Sequence, residues 1–501
     1  MTTNNPLQTG FTRVFLIEGG ARPDHPASYE SCLRLNGPSW DFGDITKIEC
    51  PDPFQYNRFI TKGKIRGELG RPTATLEGRY LEDVKSTILR LAIKGCQVDV
   101  HLHMGQCQDP SSFLDFDKAM IFEGTQFVNW NGDDMGALAS GDAKEVNENS
   151  DISADEMFEV VPLSWAEKAA AVVTNEVLDG VICDTLSCGD CANESDGVSK
   201  IFLVTKQAGG SPSTPPDVVF SLDKGVSWAA HDIDTMATAE DPGGIVCVGS
   251  YLVIGSKTTP ALHYALKQDF IDGLDPVFTK VSTGFVVGKG PVEAASVGSR
   301  VMFCGQGGYI YVTDDITSGV TVAEAGVLTT STLNDIHMLS KTFAVAVGNS
   351  GVIMKTQDGT TWSLTVSTPV GIGVNILTVA MKDENVWYVG TSAGKLYFTT
   401  NGGKSWTEKI FPGSGAGSVY DIRFAGNSVG YLSHASATPR GRILRTTDYG
   451  SSWKVCPENA TSLVLTDRFN FVLCSALDKN FVVAGGLHDN GTDGVVVAGK
   501  G

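Results

Sequence analysis

Two groups of side chains in this chain have the type and spacing for metal or redox chemistry. Cys183, Cys188 and Cys191 follow one another as Cys-x4-Cys-x2-Cys. Three thiols that close can clip a soft metal or cycle as a redox pair. A zinc site wants a fourth ligand and no His lies nearby in sequence, so a local turn disulfide or free thiols is the plainer reading. His101 and His103 form the second group, with Asp99 beside them and Cys96 and Cys107 flanking. Imidazoles at i and i+2 share one strand face and can chelate a metal, although a simple polar strand face explains them as well. The acidic stretch 132–156, with Asp133, Asp134, Asp142, Glu145, Glu148, Asp151, Asp155 and Glu156, lacks the Asp-x-Asp-x-Asp-Gly order of a calcium loop. It reads as a long loop or arm ending at a capping box, Ser153 followed by Glu156. No catalytic residue and no cofactor is assigned, and enzymatic activity is not expected.

The elements that must position these residues are set by a repeat. From about residue 180 onward the chain alternates short apolar strands and Gly turns with a [Ser/Thr]-x-[Asp/Asn]-x-Gly-x-[Ser/Thr]-Trp hairpin. The copies are Ser221-Leu-Asp223-Lys-Gly225-Val-Ser227-Trp228, Thr399-Thr-Asn401-Gly-Gly403-Lys-Ser405-Trp406 and Thr446-Thr-Asp448-Tyr-Gly450-Ser-Ser452-Trp453. A shorter version lies at Thr356-Gln-Asp358-Gly359-Thr-Thr361-Trp362, and Asp314-Asp315 with Gly319 is a remnant. In such an Asp box the carboxylate and hydroxyl bond turn amides, Gly takes a backbone conformation closed to other residues, and Trp is expected to pack under the next sheet. The most apolar strand of each repeat starts near Ile201, Tyr251, Val301, Phe343, Val386, Val429 and Phe481. Spacings of roughly 40–50 residues are those of four-stranded propeller blades, so seven blades are expected.

The last repeat, Phe481 to Ala498, ends without a box or an outer strand. Upstream, Ser164-Trp165-Ala-Glu167-Lys168 runs into Leu178-Asp179-Gly as Ser405-Trp406-Thr-Glu408-Lys409 runs into Tyr420-Asp421-Ile422. The segment around Trp165 is therefore expected to supply the missing strand and latch the ring, because an open edge invites aggregation. This divides the chain into residues 1–160 and a propeller at 161–501.

Composition bounds the rest. The 501 residues, 42% of them hydrophobic, support large cores, and 57 glycines suit an all-β chain. A net charge of −19 argues against a nucleic-acid-binding surface, though an acidic wall would let DNA slide past without sticking. No apolar run is long enough for a transmembrane helix, and the first residues lack a signal-peptide pattern, so cytosolic synthesis without membrane insertion is expected. Eleven cysteines are an odd number; Cys247, Cys304 and Cys474 lie in apolar strands and read as buried thiols.

In the first 160 residues, segments 58–67 and 71–80 read as a hairpin joined at Gly67-Glu-Leu-Gly70, followed by one helix from Leu81 to Lys94 and a strand from Gln97 to Met104. The fold class expected is mainly β: an N-terminal β-sandwich with one flanking α-helix, then a seven-bladed propeller. Asp-box propellers occur in sialidases, photosystem assembly factors, sorting receptors and phage virion proteins. A sialidase needs three converging arginines; this propeller offers only Arg300, Arg423, Arg440, Arg442, Arg445 and Arg468, three of them on one hairpin. The stretch from Phe15-Leu-Ile-Glu-Gly-Gly20 through Trp40-Asp-Phe-Gly43, Ile48-Glu-Cys-Pro51, Ile65-Arg-Gly67 and Arg71-Pro-Thr73 to Gly78-Arg-Tyr80 resembles major tail-tube proteins of siphovirus-type phages. The resemblance covers about a third of the chain. It implies a virion structural protein, assembled in the host cytoplasm into stacked, hexameric rings. DNA would pass through the lumen without specific binding, and the other partners would be further copies, other tail proteins and, through an outward-facing propeller, host-surface glycans. A glycan-binding or glycoside-hydrolysing propeller and a cytosolic assembly factor are the alternatives.

Overall fold

The computed structural model describes the strands between Thr12 and Val160 and, from 161 to 500, all residues except 162, 169–172, 174, 184–197, 207–215, 238–239, 372, 436–440, 457–467, 476–477 and 489–492. The chain divides into two compact units between 161 and 162.

Among the described residues the second unit contains seven four-stranded antiparallel sheets. Their first strands are Val177–Cys183, Pro242–Val248, Pro291–Val297, Leu333–Met338, Ile376–Met381, Ser418–Phe424 and Arg468–Cys474. Each first strand packs against the next, and that of sheet seven packs against that of sheet one, so the series closes into a β-propeller. The second strands start within one residue of the positions read from the repeat. They are the most buried: Phe202, Leu252, Val253, Phe303, Val345, Tyr388, Leu432 and Val483 have no exposed surface. Burial of this kind contributes roughly 1.5–3 kcal/mol per large apolar side chain and is what holds neighbouring sheets together.

Sheet seven runs Ser164–Lys168, Gly494–Lys500, Phe481–Leu487, Arg468–Cys474, with Trp165 opposite Gly499. Its outer strand thus comes from ahead of sheet one. Lys224 of sheet one bonds Asp478 of sheet seven, and Arg468 bonds Glu176, adding ion pairs across the same seam.

The boxes have the expected local bonds. In the first, Asp223 Oδ1 accepts from Val226 N at 3.0 Å and Ser227 N at 2.8 Å, while Gly225 N donates to Ser221 Oγ at 2.8 Å. Asp448, Asn401 and Asp358 repeat this: each accepts from the amide of the residue just before its Trp at 2.6–2.9 Å (Ser452, Ser405, Thr361). Gly450 has φ +81°, and a Cβ there would lie 2.7 Å from Tyr388 Oη, so no other residue fits without displacing that tyrosine. The tryptophans pack on the preceding sheet, not the next. Trp406 of sheet five clusters with Phe343, Val345 and Ile353 of sheet four and donates to Ser367 O at 3.2 Å. Trp453 lies between sheets five and six, Trp362 between three and four, and Trp228 between seven and one. The hairpin curls back because the turn carries the Trp toward the side its own sheet came from.

Sheets two and three lack the Trp. Between sheets one and two, Phe270 from the short helix Lys267–Ile271 takes that place, edge-on to Phe220 and Phe202 with ring centroids at 5.0 and 5.3 Å. Between sheets two and three, Phe285 lies 4.8 Å from Tyr311. A disulfide joins Cys183 of sheet one to Cys247 of sheet two. Cys247 is therefore not a buried free thiol, and Cys183 does not pair within its own turn; both stand on adjacent first strands, with Cα atoms 6.3 Å apart.

In the first unit nine described strands form one sheet, seven of them along a single hydrogen-bonded path whose two halves meet through the pairs Ile152–Phe127 and Ser153–Gln126, with Glu156–Val160 and Asn131–Gly132 paired off that path. Two expectations are corrected. Segments 58–67 and 71–80 do not pair with each other: Phe59–Arg66 pairs with Ile45–Pro51 as a separate two-stranded sheet, whereas Thr73–Leu81 pairs with Arg34–Ser39 and Glu145–Ser153. Strand periodicity says which face a residue takes but not which strand lies alongside. The acidic stretch is not a continuous arm, since Glu145–Ser153 and Glu156–Val160 are paired strands, and Ser153 and Glu156 flank the turn between them and cap no helix. Leu81 closes a strand; the helix expected over the following residues lies outside the described residues.

Candidate functional site

Every first strand of the propeller carries a bulge near its start, which turns the next side chain toward the neighbouring sheet. Four of these side chains are carboxylates: Asp179, Glu293, Asp335 and Asp421. Asp179 Oδ2 accepts from Ile245 N of sheet two at 2.9 Å, Asp335 Oδ2 from Val379 N of sheet five at 2.7 Å, and Asp421 Oδ2 from Val472 N of sheet seven at 3.0 Å. The second oxygens of Asp335 and Asp421 take their own strands' amides, Ile336 N and Ile422 N, both at 2.8 Å. Glu293 instead takes Ala294 N of its own strand at 3.0 Å. Arg423, two residues beyond Asp421, approaches it at 3.4 Å, and its charge is felt by the other three carboxylates as well.

The electrostatics follow from burial. Burial lifts Asp335 to about 6 against the pull of Arg423, lifts Asp179, and lifts Glu293 well above the carboxylate range, where Asp179 and Asp335 repel its charge as well. Burial would lower Arg423, but the carboxylates outweigh it and hold the guanidinium charged. His337, at Arg423's position two sheets earlier, is pushed down to about 4 by burial and by Arg423, and its Nδ1 takes Met381 N at 3.2 Å. Raised carboxylates beside a cation are what a general acid needs, yet here one oxygen each of Asp179, Asp335 and Asp421 is committed to a backbone amide of an adjoining sheet. Their effect is to lock one sheet to the next.

A second cluster sits in sheet two. Thr235 Oγ1 lies 2.8 Å from His263 Nδ1, and His263 Nε2 lies 3.8 Å from Glu240 Oε2, the order of a nucleophile, base and acid. Glu240, however, is engaged by Lys280 at 2.8 Å. Burial and Lys280 lower the imidazole to about 4, so it is a poor base for the hydroxyl at neutral pH.

The residues singled out in the sequence stand apart from both clusters. The box residues Ser221, Asp223, Gly225, Asp358, Asn401, Gly403, Asp448 and Gly450 lie at the opposite ends of the sheets, in the third-to-fourth strand turns. His101 and Asp99 are buried on a strand paired on both sides, Thr12–Glu18 and Lys118–Phe127, and Asp99 accepts Gly124 N at 2.7 Å; this is not a solvated polar face. Cys188, Cys191 and the His103 side chain lie outside the described residues. Among the described residues no group of three or more His, Cys, Asp or Glu is arranged to hold a metal. Arg300 is bonded to Asp314, Arg423 to Asp421 and Arg468 to Glu176, so these three do not converge on a common sugar carboxylate.

Residues 320–486 match the family described as Photosynthesis system II assembly factor YCF48. Similar solved structures include YCF48 bound to D1 peptide, at 12% identity over 68% of this chain and 96% of that one with a TM-score of 0.49. YCF48 from Cyanidioschyzon merolae follows at 12% identity, 67% and 98% coverage and a TM-score of 0.47. The WD40 β-propeller domain of Doa1 is similar at 14% identity, 67% and 97% coverage and a TM-score of 0.47. No curated protein matches the sequence.

Proposed function

We propose that the chain is a non-enzymatic assembly protein: a seven-bladed propeller that binds a polypeptide, carried on an N-terminal β unit that joins it to a larger structure. The observation that carries this reading is the commitment of the inner carboxylates. Asp179, Asp335 and Asp421 give oxygens to backbone amides of adjoining sheets, which leaves the axis of the propeller built for rigidity and its surface for contact. The match of residues 320–486 to an assembly-factor family supports the same class. Assay of the full chain against chromogenic sialosides and glycosides should give no turnover above buffer; turnover abolished by Asp335→Asn in a folded protein would reverse the reading.

A second reading specifies the larger structure as a phage tail tube, with the N-terminal unit as a sandwich-like ring former. The hairpin of Ile45–Pro51 and Phe59–Arg66 favours it. Among the described residues neither strand pairs with any third strand. A two-stranded ribbon is marginal in water, and a neighbouring copy could supply the missing strand. Rings or tubes in negative-stain micrographs of the full chain, lost when the hairpin is shortened, are the expected result; dispersed single particles at all concentrations would exclude this form of assembly.

A further inference from the structure

Strand direction alternates through each propeller sheet, so the first-to-second and third-to-fourth turns lie at one end of the ring. The second-to-third turns and the connections between sheets lie at the other. The two ends differ in charge. At the connection end, the four consecutive links from sheet two to sheet six (282–290, 326–332, 365–375 and 410–417) and the turns beside them (257–260, 306–308, 349–352 and 392–395) contain no Asp or Glu, in a chain with 57. Instead each link exposes an aliphatic residue: Val287 at 93%, Val327 at 84%, Val366 at 88% and Ile410 at 71%. Lys257 and Lys289 are cations on the same crescent. Apolar residues exposed in series on adjacent repeats mark a contact surface, whereas isolated ones would need no explanation.

The box end carries the complement. Between the third and fourth strands of sheet two, the helix Lys267–Ile271 and the loop after it expose Leu274 at 59% and Val277 at 69%. Asp269, Asp272 and Asp275 lie beside them in sequence, Asp272 bonded to Gln268 and Asp275 to His231. This is an aliphatic, acidic projection on the face opposite an aliphatic crescent whose links and turns contain no acid of their own, the neighbouring Glu324 being taken up by the amides of Val327 and Leu328 and Glu408 by Lys395. A copy carrying a net −19 is repelled by most of another copy's surface, and least where acids are fewest and already paired.

We propose that the crescent receives the 267–278 projection of a second copy of this chain, joining propellers head to tail. Because the two surfaces lie on opposite ends of one ring, the contact is heterologous and leaves a free crescent and a free projection at the ends of every stack. The proposal rests on reading the propeller as a protein-binding module but not on the N-terminal hairpin.

Sedimentation velocity of the full chain across a concentration series tests it. The wild type should form a ladder of species that shortens at high salt. Leu274→Asp with Val277→Asp, and separately Val327→Asp with Val366→Asp, should each remove the ladder, leaving whatever single species the N-terminal unit supports. An equimolar mixture of the two variants should regain one step only, since one intact interface remains. Alanine versions of the same pairs, with unchanged circular-dichroism melts, guard against unfolding and should weaken association at least tenfold. A ladder that survives both variants overturns the proposal. So does one lost only in the crescent variant, which would assign the crescent to a different partner.

Discussion

The inner strands and the outer turns of the propeller are both fastened by aspartates that accept backbone amides, yet Asp223 and Asp358 in the turns are pushed the opposite way from Asp179 and Asp335 inside. In the box turns, hydrogen bonds from Ser227 and Ser221 outweigh burial and hold Asp223 down at about 2; Asp358 is lowered by the amides of Thr361 and Thr360. On the inner strands, burial wins and Asp335 rises to about 6. Asp448 separates the causes: it has the bonds of a box but is buried between sheets, and it is raised. Solvent access, not bond pattern, decides the sign.

The largest test of that contrast removes the inner cation. Arg423→Met leaves the inner carboxylates facing one another without a counter-charge and should lower unfolding free energy by about 3–5 kcal/mol, read by chemical denaturation. Trp453→Ala in a box should cost about 3–5 kcal/mol as well, through a cavity, but with no change in pH dependence. A pH titration of stability comes next. A carboxyl raised in the fold contributes stability that is complete below its unfolded value near 4 and is lost as pH rises through about 6, so Asp335 should make the propeller more stable at pH 5 than at pH 7 by roughly 1–2 kcal/mol. Asp335→Asn should flatten that rise. Asp223, lowered, works the other way: its contribution is present above about 4 and lost as pH falls through about 2, so the acid limb should survive in Asp335→Asn and soften in Asp223→Ala. The smallest effect is Asp448→Asn, which keeps acceptors for Ser452 N and Thr446 and should cost about 1 kcal/mol in thermal unfolding.

The same contrast explains what could be read in the sequence. The boxes were legible because every bond spans two to four residues: Thr446, Asp448, Gly450 and Ser452 carry the geometry in their order. The outer strand of the last sheet was legible because Ser164 to Lys168 copies Ser405 to Lys409. The inner carboxylates were missed because their partners lie 66, 44 and 51 residues away, and a lone Asp in an apolar strand carries no local signature. One signal existed, the recurrence of Asp179, Asp335 and Asp421 at one place in the repeat. In the N-terminal unit the Gly67–Gly70 turn suggested a hairpin, but β-strands alternate identically whoever their neighbour is, and Phe59–Arg66 and Thr73–Leu81 joined different sheets.

The strand Ser164–Lys168 also imposes an order of events during synthesis. It leaves the ribosome before sheet one, but its partner Gly494–Lys500 belongs to the last strand of the ring. Until that strand emerges, the early strand waits without its partner through the synthesis of the sheets between them. The ring therefore closes only once its last strand has been made, by one of the longest-range pairings among the described residues. A nascent chain stalled before Gly494 is the species most exposed to proteases and to the strand edges of its neighbours.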